Sequence, residues 1–232
     1  NINLNILDEE KKIIIDQKLN SGRAIFFGKK IDGWNIFFNG SKKNPLNLNI
    51  PKNHLNLTGC LTFLDIQVKN INLSSKDTSC EDSINFIRVN GSVNSVNISK
   101  SFIDALDIDF SSVELNSIMI NSAGNDCLDL SNGKYNISNI NIANCGDKGI
   151  SIGEKSRTLI KNALINRTNI AIAAKDSSQL KINKSEIFNS PICFSAYRKK
   201  QEFSGAKIEV NKTNCNKDNF YIQKGSKIIL DL

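Results

Sequence analysis

From residue 84 onward the chain carries an apolar–polar–apolar triplet that returns every 22 residues. Ile84, Leu106, Leu128, Ile150, Ile172 and Phe194 hold its first position, and Phe86, Ile108, Leu130, Ile152, Ala174 and Ala196 its third. Between them stand Asn85, Asp107, Asp129, Ser151, Ala173 and Ser195, polar or small throughout. Apolar residues two apart with such a residue between them describe a strand with one buried face. A later strand keeps the step through Val96/Ile98, Ile118/Ile120 and Ile140/Ile142, and continues at Ala163/Ile165 after a slip of one residue. Between the two lies a shorter apolar pair, Val113/Leu115 and then Tyr135/Ile137.

Three short strands per repeat, with no helical period, predict an all-β fold. The architecture expected is a right-handed parallel β-helix, a solenoid of stacked coils. The L-x-x-L-x-L-x-x-N pattern of leucine-rich solenoids is absent, and a β-sandwich would not hold a constant step. Asn follows the last strand at Asn121, Asn144, Asn166 and Asn189. Asn tolerates left-handed turns, and its amide can bond from coil to coil. One domain is expected, with regular coils over residues 56–200 and a C-terminal coil and cap over 201–232. Residues 1–55 read as an N-terminal cap and a first irregular coil, since solenoids need covered ends. There LDEEKKIIIDQKL (7–19) reads as a short capping helix, and AIFFG with GWNIFF as the first coil. Residues 207–211 and 227–232 read as further strands.

Composition sharpens this picture. The 232 residues include 34 Asn and 34 Ile but a single His, His54. One His argues against Ser-His-Asp and Cys-His catalysis and against multi-His metal centres, and leaves Ser151 and Ser195 poor nucleophiles. His54 itself reads as structural. No apolar run is long enough to span a membrane. The chain opens at Asn1 without a signal peptide and reads as a mature or excised segment, open to fusion or association with another domain.

Six cysteines fall in near pairs: Cys60 and Cys80, Cys127 and Cys145, Cys193 and Cys215. With no C-x-x-C, zinc ribbons and thioredoxin chemistry are disfavoured. Two readings remain, three neighbouring disulfides in an oxidising compartment or six buried thiols. The first places the protein outside the cell, on its surface or in the periplasm. The net charge is +7, yet residues 81–154 hold four Lys/Arg against ten Asp/Glu, and residues 155–232 hold fifteen against six. A nucleic-acid binder would show a basic stripe with interleaved aromatics, so nucleic acid is not the expected partner. An acidic middle beside a basic end suits an anionic ligand or two solvated faces.

The coils and Asn turns over roughly residues 56–215 resemble the right-handed parallel β-helix (pectate lyase-like) superfamily of carbohydrate enzymes. More locally, SFIDALDIDFS, GNDCLDLSNGKY, CGDKGISIGEKS, IAIAAKDSS and AYRKK look like secreted bacterial β-helix domains, some of which accompany CotH-like modules. The resemblance implies the fold and a carbohydrate partner. The His- and Arg-based catalytic motifs of the better-known enzymes are not recognisable.

Candidate chemistry follows from the register, because positions 22 apart become neighbours about 4.8 Å apart. Asp82, Asp104 and Asp126 share one column, with Lys148 next. Three stacked carboxylates need protonation, a cation or a base nearby. They form a candidate Ca2+ site, a source of general acid and base, or a ladder capping backbone N–H groups. Asp107 and Asp129 stand beside them, with Asp109 and Ser131 two residues on. Further along, Glu154, Lys155, Lys175, Asp176 and Tyr197 complete a working catalytic set, with Lys148, Arg198, Lys199 and Lys200 as substrate-binding cations. Proton abstraction beside a sugar carboxylate needs a base and a cation, and these side chains supply both without His. The alternative is a salt-bridge network knitting exposed coils together. The expected function is binding or acting on an acidic polysaccharide, as a lyase or epimerase. The alternative is a non-catalytic surface scaffold or glycan- or partner-binding module.

Overall fold

A computed structural model describes residues 1–41 and 55–231. His54 lies outside the described residues. The chain is 68% strand and stacks into a parallel β-solenoid of about nine turns.

The N-terminus departs from the expected helix. Residues 7–19 instead contribute to β1 (Ile2–Leu7) and β2 (Lys12–Gln17), an antiparallel pair. Three consecutive β-branched residues disfavour a helix, whereas alternation buries Ile13, Ile15 and Gln17 on one side. β2 then pairs in parallel with β5 (Asn35–Asn39), so it is already part of the stack, and β1 covers its open edge. The coil of β3 (Ala24–Phe27), β4 (Lys30–Asp32) and β5 matches the expectation for AIFFG and GWNIFF. Its step to β6 (Gly59–Leu64) and β7 (Gln67–Lys76) is longer than 22 residues, so the repeat does not betray it.

Regular coils follow in β8 (Asp82–Ile87), β9 (Asn90–Ser101), β10 (Asp104–Asp109), β11 (Ser112–Ala123) and β12 (Leu128–Ser131). They continue in β13 (Lys134–Gly153), β14 (Arg157–Lys175), β15 (Gln179–Phe188) and β16 (Ile192–Tyr197). β17 (Lys207–Thr213), β18 (Phe220–Ile222) and β19 (Lys227–Leu230) close the stack, the first and last answering the two C-terminal strands expected. Each coil presents three faces. The first carries the triplets, for example β8, β10, β12 and β16. The second carries the short pairs at Val113/Leu115 and their register mates, and the third the later strands.

The inward columns fill the core. Phe26 stacks on Phe63 at 5.0 Å, and Phe86 meets Phe63 edge-on at 4.9 Å. Tyr135 is buried, its hydroxyl 2.9 Å from the Ile108 carbonyl and 2.8 Å from that of Ser131, tying two coils together. Corners between the first two faces use one left-handed residue at Arg88, Phe110 and Asn132 but two at Glu154–Lys155. That extra residue is the slip seen in the sequence, and a bulge between Cys145 and Lys148 absorbs it. The Asn ladder is broken into pairs. Asn144 donates to Asn121 at 2.7 Å and Asn189 to Asn166 at 2.8 Å, and in each pair only the later Asn is left-handed.

The cysteines form three disulfides, Cys60–Cys80, Cys127–Cys145 and Cys193–Cys215, with Cα atoms 5.4, 5.6 and 6.4 Å apart. Each closes a loop of roughly 20 residues, a constraint on the unfolded chain of about 3 kcal/mol. Denatured, unreduced protein is therefore expected to show no titratable thiol, and reduction to lower Tm. Tyr135→Phe is expected to cost about 1–3 kcal/mol in denaturant unfolding, because two buried carbonyls lose a donor.

Candidate functional site

The outward position of the first face forms one continuous column through Thr62, Asn85, Asp107, Asp129, Ser151, Ala173, Ser195 and Tyr221. Thr62, Asn85, Ser151, Ala173 and Ser195 in it are buried. Lys175 is the clearest case. It is only 7% exposed, and its Nζ reaches back over a coil to Ser151 Oγ at 2.8 Å and Asp129 Oδ2 at 3.7 Å. Asn85 donates to Asp107 Oδ2 at 3.0 Å. Asp129 Oδ1 is buried and has no hydrogen-bond partner among the described residues. Tyr197 is the register neighbour of Lys175, and burial holds its phenol above the ordinary range, against the charges of Lys175 and Lys148.

The Asp82 column is in register as expected, but its carboxylates serve the backbone. Asp104 Oδ1 accepts the N–H of Asp126 at 2.8 Å and the Asn125 amide at 2.8 Å. Asp126 Oδ1 accepts the N–H of Lys148 at 3.0 Å, with Lys148 Nζ 3.4 Å away. This is the capping geometry by which short acids close a strand entrance. Among the described residues no group of three His, Cys, Asp or Glu is placed to hold a metal ion, so the column does not assemble as a Ca2+ ligand set.

The other predicted residues separate from the column. Asp176 is fully buried, and its Oδ1 accepts the N–H groups of Lys199 at 2.7 Å and Lys200 at 2.8 Å, so it shapes a turn. Glu154 pairs with the Lys200 ammonium across two coils. Lys155 sits 5.6 Å over the Phe203 ring, and Arg198 is fixed through its N–H to Gln223 Oε1 at 2.6 Å. Of these only Glu154 and Lys200 form the ion pair that the salt-bridge alternative expects, while Asp107, Asp129, Lys175 and Tyr197 share the column and its rim. Lys148 joins them through Asp126; burial lowers its ammonium, but the bond to Asp147 and the charges of Asp126 and Asp147 together hold it above the ordinary range. Asn85 and Asp109, already placed beside the column by the 22-residue register, are its neighbours, and Asp147 is a further neighbour that the register did not bring forward.

Burial dominates the electrostatics. It raises the Asp82 carboxyl to about 7, with Asp104 and Glu81 adding repulsion. Asp109 is raised to about 6 by burial and by Asp129 and Glu154, and Asp126 to about 6 by burial against the pull of Lys148. Asp107 stands well above the carboxylate range, from burial and then from the charges of Asp82, Asp109 and Asp129. Asp104 is raised by burial too. Asp107, its carboxyl raised by burial, therefore stacks directly on Asp129, which is salt-bridged to the Lys175 ammonium, so two like groups sit in different surroundings.

Comparison with known protein families, with characterised proteins and with solved structures finds no match to this chain. The likeness to the pectate lyase-like superfamily is accordingly one of architecture, the parallel β-helix itself, and gives no family assignment.

The raised carboxyls set a pH dependence. Their neutral forms are favoured by the fold, so the stability they contribute is complete below the ordinary value of 3.8. It is lost as pH rises through about 6 for Asp109 and Asp126 and about 7 for Asp82. Tm is expected to fall between about pH 4 and about pH 8, and Asp82→Asn to flatten the upper part of that fall.

Proposed function

We propose that the first face acts on an acidic polysaccharide by acid–base chemistry. The observation that carries this reading is the stacked pair of Asp107, its carboxyl raised by burial, and Asp129, held at Lys175 with one oxygen that has no hydrogen-bond partner among the described residues. A uronate ring laid over Asp129 presents its carboxylate to the Lys175 ammonium, which neutralises it and makes the adjacent C5 proton acidic. Asp129 removes that proton, and Asp107 delivers its own to the O4 leaving group. The C4–O bond breaks, a C4–C5 double bond forms, and the chain is cut. Return of the proton to the opposite side of C5, without cleavage, gives epimerisation.

A second reading is a non-catalytic glycan- or partner-binding module. It draws on the carboxylates of Asp104, Asp126 and Asp176, which are committed to backbone N–H groups. An extracellular or periplasmic setting accords with the three disulfides under either reading.

A panel of uronate polymers, followed by ultraviolet absorbance of unsaturated product and by NMR of sugar configuration, separates the two. Turnover is expected on at least one polymer, falling about 10²-fold or more in Asp107→Asn and in Lys175→Met. Asp104→Asn is expected to retain most of it. Binding with no turnover on any polymer would leave the second reading standing.

A further inference from the structure

A large hollow lies elsewhere on the molecule. It lies on the second face, about 700 Å³, lined by Lys30, Lys69, Asn90, Glu114, Lys134 and Asn136 among others. A second hollow of about 320 Å³ continues from it, sharing Lys134 and Asn136 and extending to Arg157, Lys181 and Lys207. Together they make an open trough parallel to the solenoid axis.

Register shows why the trough is charged. The outward position of the second face runs Ser112, Lys134, Arg157, Gln179, Lys207 and Lys227, one residue per coil. Lys30, Gln67 and Asn90 continue the same column toward the N-terminus. Nine coils at about 4.8 Å give a straight track of roughly 38 Å. The two hollows are lined by six cations, from Lys30 to Lys207, and by two acids, Glu114 and Glu209. Lys30 and Lys207 are each tied to an acid two residues on. Lys134, Arg157 and Lys181 are exposed and have no ion-pair partner among the described residues. Unpaired cations at the centre of a concave surface focus field onto whatever lies in it.

We infer that this trough is a binding site for a linear anionic polysaccharide, laid along the axis with its carboxylate or sulfate groups on Lys134, Arg157 and Lys181. The coil rise matches the repeat of an extended sugar chain closely enough for one ring per coil. The amide and hydroxyl side chains between the cations, Gln67, Asn90, Asn136 and Gln179, suit sugar hydroxyls. No aromatic side chain lines either hollow, so the stacking platform that single-stranded nucleic acid uses is missing. The site is independent of the first face. It holds polymer and performs no chemistry, and it stands whether or not Asp107 and Asp129 turn substrate over.

Binding is tested with fluorescent polygalacturonate, which carries carboxylates only, and with heparin, which adds sulfates, at two ionic strengths. Wild-type protein is expected to bind at least one of them, more weakly at the higher salt. Lys134→Glu/Arg157→Glu is expected to weaken binding by about tenfold or more. Lys217→Glu/Lys224→Glu, a control for net charge at exposed sites outside the trough, is expected to leave it within about twofold. Which polymer the Lys134/Arg157 variant loses more strongly identifies carboxylate or sulfate as the recognised group. The inference is overturned if neither polymer binds. Equal weakening by the Lys217/Lys224 control, or tighter binding of a single-stranded oligonucleotide than of either polymer, overturns it too.

Discussion

Everything in this molecule depends on parallel strand pairing between one coil and the next. Parallel ladders place strands about 4.8 Å apart and align residue with residue. A repeat length that stays constant therefore turns a sequence interval into a spatial column. Each column is chemically uniform or graded, because it is built one residue per coil. Inward columns of Ile, Leu and Phe make the core, and outward columns make every feature to which a function is assigned here.

The same constraint explains why like charges accumulate. Asp107 on Asp129, and Asp82 on Asp104, are forced together by register. Three responses are visible. Burial and mutual repulsion raise the carboxyls of Asp82, Asp107 and Asp109. Backbone N–H groups stabilise Asp104 and Asp126. A lysine two coils away folds back on Asp129. The second face answers differently, interleaving its cations with amides and leaving them in solvent, which keeps the trough open to a polyanion.

The solenoid was legible in the sequence because period-2 alternation and a 22-residue step are both local regularities. So were the disulfide pairs, since Cys60 and Cys80 or Cys127 and Cys145 fall at nearly one coil's separation. The capping helix was misread because the charged residues around Ile13–Ile15 outweighed its β-branched run, whose buried face is visible only with β5 present as a partner. The first coil was expected from its composition alone, its longer step hiding the register. Of the site, the columns were readable but side-chain direction was not. Lys175 lies far from Asp129 in the chain, and only the reach of its side chain across Ser151 joins them.

By itself, then, the sequence determined the coil, the number of strands per coil, the neighbours within each column and the pairing of the cysteines, because hydrogen-bonded stacking translates interval into adjacency. Only the tertiary structure decided what each charged side chain does within its column. Asp176 and Glu154 belong to turns, Asp104 and Asp126 to backbone capping, and Asp107, Asp129 and Lys175 to a shared site. It also decided that a broad hollow lies over Lys134 on the second face. Those outcomes turn on rotamers, burial and the curvature of one face against the next, which a repeat in the sequence does not encode.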